Sequence, residues 1–350
     1  MQPDTDQIVL VTGGSGFLGL HCISQALTAG YTVRTTIRSE SKRSAIIQAL
    51  KKANTADEVQ KLSFVTADLL NDSGWAEAVN GASLIIHVAS PFPSIQPKDE
   101  NEVIQPAVNG TLRVLKAAKS SGTVRRVVLT SSAVAISYGT KYMSGKVFDE
   151  DDWSDPDGKG SYITAYAKSK TLAEKVAWDF IDREGGGLEL TVVNPVGIFG
   201  PALLLPNEST TCDIIKDMLQ GRFPAVPNIR FGVVDARDVA TLHLLAASNE
   251  KAKGQRYLCV AGKSVSLIEI SSMLKAGLGY KASKAPTRTL PDLFVRALSY
   301  FMPSLKGAIP ELGPPKEFSN VKARELGWKP RANEEAIVSC GQAFIDAGMC

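Results

Sequence analysis

The 350-residue sequence predicts an α/β protein: a doubly wound parallel sheet followed by a smaller, mainly helical C-terminal lobe. Three observations carry that expectation. A short apolar strand near the N-terminus passes through a glycine-rich turn into a helix. Apolar strand segments and helical segments then alternate as far as residue 200, the order required by a parallel sheet with helices on both faces. Beyond Gly200 the alternation gives way to Pro- and Gly-rich loops and helices.

The first strand is Ile8-Val9-Leu10-Val11, and His21 to Ala29 reads as the first helix. Gly30 to Arg38 is a second strand, Ser41 to Lys52 a helix, and Leu62 to Leu69 a third strand. Ser83 to Ser90 is nearly continuously apolar, as expected of a strand covered on both faces. It stops at Pro91-Phe92-Pro93, because proline cannot donate to a central ladder. Asn101 to Ser120 has helical periodicity, with Val103, Ala107, Leu112 and Leu115 among its apolar positions. Arg126 to Ser132 is the next strand, Ala165 to Arg183 the next long helix, and Leu188 to Asn194 a further strand.

Residues 1–200 therefore form the sheet domain. Residues 201–231 and 263–350 form the lobe, with a short helix from Cys212 to Leu219. Phe231 to Asp235 reads as a return to the sheet region, followed by a helix through Ala247, so residues 232–262 rejoin the first domain.

Composition narrows the function. Hydrophobic residues make up 44% and charged residues 21%, ordinary values for a globular chain. A net charge of +3 sets up no field that would draw nucleic acid or an anionic membrane. The N-terminus lacks the basic region of a signal peptide, and no apolar run approaches the roughly 20 residues that span a bilayer. Cys22, Cys212, Cys259, Cys340 and Cys350 are scattered, which fits reduced thiols in the cytoplasm rather than a disulfide frame. His21, His87 and His243 lack ligand spacing, so no metal is expected. These features predict a cytoplasmic monomer or homodimer that acts on a small molecule.

The turn after the first strand is Thr12-Gly13-Gly14-Ser15-Gly16-Phe17-Leu18-Gly19. Its glycines at 13, 16 and 19 suit a dinucleotide: one for the tight turn, one for close approach of backbone to a pyrophosphate, one for helix–strand packing. The helix start then faces the phosphates. Selection for NAD places an acidic side chain at the end of the second strand. Here Ile37 stands at that place, followed by Arg38 and, four residues on, Lys42. A guanidinium fork matches a phosphate, so the pair selects the 2′-phosphate of NADP.

Tyr166-Ala167-Lys168-Ser169-Lys170 opens the long helix with the spacing YxxxK, which puts Tyr166 and Lys170 on one face. A neighbouring ammonium favours phenolate, so Lys170 is expected to lower the Tyr166 pKa and make the phenol a general acid or base. A hydroxyl pair, Ser131-Ser132, ends the preceding strand, where it could hydrogen-bond a carbonyl and stabilise charge on its oxygen.

With these residues in order, the chain resembles an extended short-chain dehydrogenase/reductase. It is most similar to the dihydroflavonol-reductase-like branch, which includes fungal NADPH-dependent ketone and aldehyde reductases. The resemblance runs from Val9 to about Pro330. It rests on Thr12 to Gly19, Arg38 with Lys42, Asp68-Leu69, His87 to Phe92, Gln105 to Thr111 and Thr130-Ser131-Ser132. Tyr166 to Lys170, Asn194 to Pro201 and Asp235 to Ala240 continue it.

The resemblance implies a Rossmann-type sheet and reduction of a ketone or aldehyde by NADP (as NADPH), with Tyr166 as proton donor. It implies that Lys170 holds the ribose hydroxyls and that Ser132, rather than Ser131, orients the carbonyl. Gly13, Gly14, Ser15, Gly16, Phe17 and Leu18 would hold the pyrophosphate, and Asp68 and Leu69 would flank the adenine. Ala89 and Ser90 would line the nucleotide path. Pro195 and Ile198 would fix the nicotinamide amide, and Thr211 would touch the cofactor. Phe92, Ala133, Ser137 and Gly197 would face the substrate. Three of those four are small, which predicts room for bulky ketones beneath an apolar, movable wall of Ala202 to Pro206.

Other residues read more plainly. Tyr162 is expected to be packing or pocket wall. Asp149 to Asp152 is a solvated loop, Asp235, Arg237 and Asp238 form a salt-bridged corner, and Trp328 is an anchor for the C-terminal lobe. Two alternatives share the fold: an NAD(P)-dependent epimerase or dehydratase of a nucleotide sugar, and a non-catalytic NADP sensor. Arg38 with Lys42 argues against the first, and an intact Ser132, Tyr166 and Lys170 set against the second.

Overall fold

The computed structural model describes residues 7–90, 99–141, 143, 145–206, 209–300, 309, 311–313 and 315–350. Its centre is a sheet of seven strands: β1 (Ile8–Thr12), β2 (Thr32–Ile37), β3 (Leu62–Thr66), β4 (Ala82–His87), β5 (Arg126–Thr130), β6 (Glu189–Pro195) and β7 (Arg256–Cys259). They lie in the order β3-β2-β1-β4-β5-β6-β7, and every pairing is parallel. β1 thus sits between β2 and β4, and the strand order reverses there. In an open α/β sheet that reversal opens a crevice at the strand C-termini, the place where ligands bind.

Four helices matter for the site: α1 (Phe17–Thr28), α2 (Asn101–Ser121), α3 (Ala165–Glu184) and α4 (Ala236–Ser248). Side chains of successive strand residues point to opposite faces, and β1 feeds two cores accordingly. Val9 and Val11 join the core that holds Ile23, Leu27, Leu242 and Ala246 of α1 and α4. Leu10 joins the core that holds Val114, Leu115, Ala177 and Phe180 of α2 and α3. A third core, separate from the sheet, packs Cys212, Ile215 and Met218 against Ile270, Leu274, Ile337 and Phe344.

One detail differs from the sequence reading. Phe231 to Asp235 does not enter the main sheet. Val233–Asp235 pairs instead with Gly197–Phe199 in a small sheet of its own. The segment that does join is β7, which pairs with β6 at the sheet edge. Trp328 anchors the C-terminal segment as expected, packing in the sheet core at 1% exposure. Its indole nitrogen donates to the Asp238 carbonyl at 2.8 Å. The C-terminal segment is therefore fastened to α4. Asp235 and Asp238 are bound by Arg237 and Arg331 respectively, a structural corner as expected. Among the described residues no helix is long and apolar enough to cross a membrane.

Candidate active site

The glycine-rich turn is shaped by contacts that leave no room for side chains. A Cβ at Gly14 would lie 2.1 Å from Thr35 Oγ1, and one at Gly19 would lie 2.3 Å from the Gly13 carbonyl oxygen. Gly13 has φ +74° and approaches the Ala89 backbone, a conformation that L side chains rarely adopt. β2 holds the turn in place. Gly13 N donates to Thr36 Oγ1 at 3.1 Å, and Gly14 N donates to the Thr36 carbonyl at 3.2 Å. Gly16 is the N-cap of α1, no side chain caps that helix, and its first turn holds no acidic residue. Its leading amides are thus left for an anion. The cradle fits a dinucleotide pyrophosphate.

The crevice is pinned at its floor. Thr12 Oγ1 lies 2.8 Å from His87 Nδ1 and accepts from Ala89 N at 3.0 Å, tying the end of β1 to the exit of β4. Burial pushes the His87 pKa down to about 3, so its ring is neutral. Ser90 is half-buried. Ile37 ends β2 buried, while Arg38 and Lys42 beyond it are exposed. Arg43, which the sequence reading passed over, joins them and lies over the Phe64 ring at 5.1 Å. Asp68 Oδ1 accepts from Leu70 N at 2.9 Å, and Leu69 packs against Gly110 of α2.

Across the crevice, Thr164 caps α3 by accepting from Ala167 N at 3.1 Å, which sets the helix start one residue before Tyr166. Ser132 and Tyr166 share a side-chain hydrogen bond. Ser132 Oγ also accepts from Val134 N at 3.3 Å and reaches the Pro195 carbonyl at 3.5 Å. Ser131 turns away and donates to Glu174 Oε2 at 2.5 Å. The serine pair is thus divided: Ser132 serves the phenol, and Ser131 serves the interior.

The electrostatics correct one expectation. Burial pushes the Tyr166 phenol up to about 12, and the Ser132 hydrogen bond is what opposes that rise. Burial thus outweighs the lowering expected of Lys170. Lys170 Nζ points to the Thr130 carbonyl at 3.5 Å, and burial brings its own pKa down to about 8 against the pull of Glu174. A phenol at about 12 is protonated at neutral pH, the state of a proton donor.

Other residues fall as follows. Pro195 ends β6 buried, and the Ile198 carbonyl accepts from Thr211 Oγ1 at 2.5 Å, which couples the lobe helix Thr210–Leu219 to the strand beside the crevice. Gly197 is half-buried. Ala133 and Ser137 are buried at 4% exposure each. Ala133 packs with Ile136, Phe148 and Leu258, and Ser137 donates to the Ala133 carbonyl at 3.4 Å. Phe92 lies outside the described residues. Leu203 and Leu204 pack on the sheet core and Leu205 on the lobe core, so the expected movable wall is a packed joint between two cores. Tyr162 is not packing, being 61% exposed.

Comparison with known proteins agrees with this geometry. The model of the 3-beta hydroxysteroid dehydrogenase/isomerase family matches residues 10–290, and the chain belongs to that family of extended short-chain dehydrogenases/reductases. It is 36% identical over 256 residues to tetraketide alpha-pyrone reductase 2 of Arabidopsis thaliana, covering 71% of this chain and 76% of that protein. Dihydroflavonol 4-reductase of the same plant is 32% identical over 298 residues, covering 82% and 72%. The crystal structure of yeast methylglyoxal/isovaleraldehyde reductase Gre2 complexed with NADPH matches with a TM-score of 0.77 at 26% identity. That match covers 98% of this chain and 100% of the yeast chain.

Proposed function

We propose that this protein reduces the carbonyl group of a ketone or aldehyde to an alcohol, with NADPH as reductant and Tyr166 as proton donor. The observation that carries this reading is the Ser132–Tyr166 hydrogen bond at the C-terminal edge of the sheet, across the crevice from a side-chain-free glycine cradle. The chain is an NADP-dependent oxidoreductase, and NADPH when bound supplies the hydride. The backbone from Gly13 to Leu18 holds the pyrophosphate, Arg38 and Lys42 the 2′-phosphate, and Asp68 and Leu69 the adenine. Ala89 and Ser90 line the path between them. Lys170 holds the ribose hydroxyls, and the backbone at Pro195 and Ile198 holds the amide end.

Ser132 orients the substrate carbonyl by hydrogen bonding its oxygen. Tyr166 carries its proton at neutral pH because burial disfavours phenolate. It releases that proton as the carbonyl oxygen gains charge, and the Lys170 ammonium one helical turn away offsets the charge left behind. The test is loss of NADPH absorbance with a panel of ketones and aldehydes, beside a nucleotide-sugar control. Oxidation of NADPH with carbonyl compounds alone is the expected result. No turnover across the panel, or epimerisation of the sugar, overturns the reading.

A further inference from the structure

Glu174 lies on α3 one turn beyond Lys170 and two beyond Tyr166, so all three share a helix face. Its side chain is fully buried. A buried carboxylate needs partners for its lone pairs, and Glu174 draws them from three strand ends. Ser131 Oγ after β5 donates at 2.5 Å, Asn194 Nδ2 of β6 at 2.8 Å, and Arg256 Nε of β7 at 2.6 Å. Trp178 Nε1 completes the set at 3.4 Å. Asn194 Nδ2 also reaches the Ser132 carbonyl at 3.3 Å. Arg256 is itself fixed by the Glu150 and Asp152 carbonyls at 2.7 and 2.8 Å, with its guanidinium 3.8 Å over the Trp153 ring. Glu174 and Lys170 line one small cavity together with Ser90, Thr111, Thr130 and Ser131.

We propose that Glu174 is a positioning residue: it supplies the buried counter-charge for the Lys170 ammonium and locks the neighbours of Ser132 and Pro195 to the catalytic helix. The groups that face Lys170 make this the decisive partner. Tyr166 on the same helix is protonated, and His87 from β4 is neutral. Ala107 and Thr111 from α2 carry no charge, and Arg256 from β7 is paired with Glu174 itself. Glu174 is then the anion that keeps a buried lysine charged near neutral pH, consistent with its upward pull on the Lys170 pKa. Arg256 acts in the opposite sense, by sharing the carboxylate.

The inference rests on the proposed role of Lys170 beside the proton donor, and the test separates the two. Carbon NMR titration of labelled lysine follows Lys170 directly, the resonance being assigned by its absence in Lys170→Met. The wild-type midpoint is expected at about 8. Glu174→Gln lowers it by a pH unit or more, Glu174→Asp keeps it near wild type, and Arg256→Gln raises it. If Glu174→Gln does not fold, the opposite shift in Arg256→Gln carries the test. An unmoved midpoint in folded Glu174→Gln, or a downward shift in Arg256→Gln, overturns the role of Glu174. The alkaline limb of kcat/KM moves with the midpoint. A moved midpoint with an unmoved limb leaves Glu174 its role and overturns that of Lys170.

Discussion

The two banks of the crevice are built by opposite means. On the β1–β2 bank the work is done by backbone: Gly13, Gly14 and Gly19 let the turn, the first helix and β2 approach so closely that a Cβ would collide, and α1 starts without a side-chain cap. On the β5–β7 bank the work is done by buried side chains. Ser132 meets Tyr166, and Ser131, Asn194 and Arg256 converge on Glu174. Shape suits the first bank because a pyrophosphate presents many equivalent oxygens to many amides. In the proposed reaction the second moves one proton at one atom, which needs titratable groups whose environments are fixed.

The sharpest test of that contrast is Tyr166→Phe. It removes one hydroxyl from the side-chain bank and leaves the backbone bank intact. Turnover should fall by about 100- to 10,000-fold while NADPH binding by fluorescence titration stays within about twofold. Turnover near wild type would place the donor elsewhere.

Gly19→Ala strikes the other bank. A methyl 2.3 Å from the Gly13 carbonyl oxygen meets backbone that cannot step aside, and overpacking of this kind costs about 1–3 kcal/mol. Both the thermal midpoint and NADPH affinity should drop. If both hold, the turn is more pliable than its packing implies.

Arg38→Ala keeps the cradle and removes a cation at its rim. Hydrogen bonds to charged groups contribute about 1.5–3 kcal/mol, so NADPH affinity should weaken by about 10- to 100-fold and NADH affinity hardly at all. Equal losses for both would remove the basis for the 2′-phosphate site.

The smallest effect concerns the sheet between the banks. His243 Nδ1 donates to the Val239 carbonyl at 2.8 Å, its Nε2 accepts from Thr130 at 2.7 Å, and burial brings its pKa down to about 4. The unfolded ring takes a proton near 6.5 and the folded ring does not. Its contribution is therefore intact above pH 6.5 and is lost as pH falls toward 4, at about 1.4 kcal/mol per pH unit. His243→Gln should flatten the acid limb of denaturant stability between pH 6.5 and 5 by that amount.

How much of this is legible in the sequence follows the same divide. The cradle is contiguous: strand, glycines and helix lie within about twenty residues, and local geometry forces their meaning. YxxxK is legible for the same reason, since four residues on a helix fix a shared face. The doubly wound parallel sheet follows from alternating elements, except that β7 was hidden, and the order of its strands came from the structure. A four-residue edge strand carries too little periodicity to stand out, whereas Phe231 to Asp235 drew attention and its three-residue strand, Val233–Asp235, pairs elsewhere.

The sequence by itself determined the sheet, the glycine turn, the basic pair after β2 and the candidate proton donor, because each depends on residues close along the chain. Only the tertiary structure showed why Ser132 and not Ser131 faces the phenol: Ser131 is drawn off by Glu174, 43 residues along the chain, which Asn194 and Arg256 hold in place from 20 and 82 residues further on. It also decided that the phenol rises rather than falls. A pKa balances burial against charge, and burial is a property of the packed whole. The packing of Ala133 has the same origin: its neighbours Ile136, Phe148 and Leu258 come from distant parts of the chain or the next turn, and only the fold brings them together.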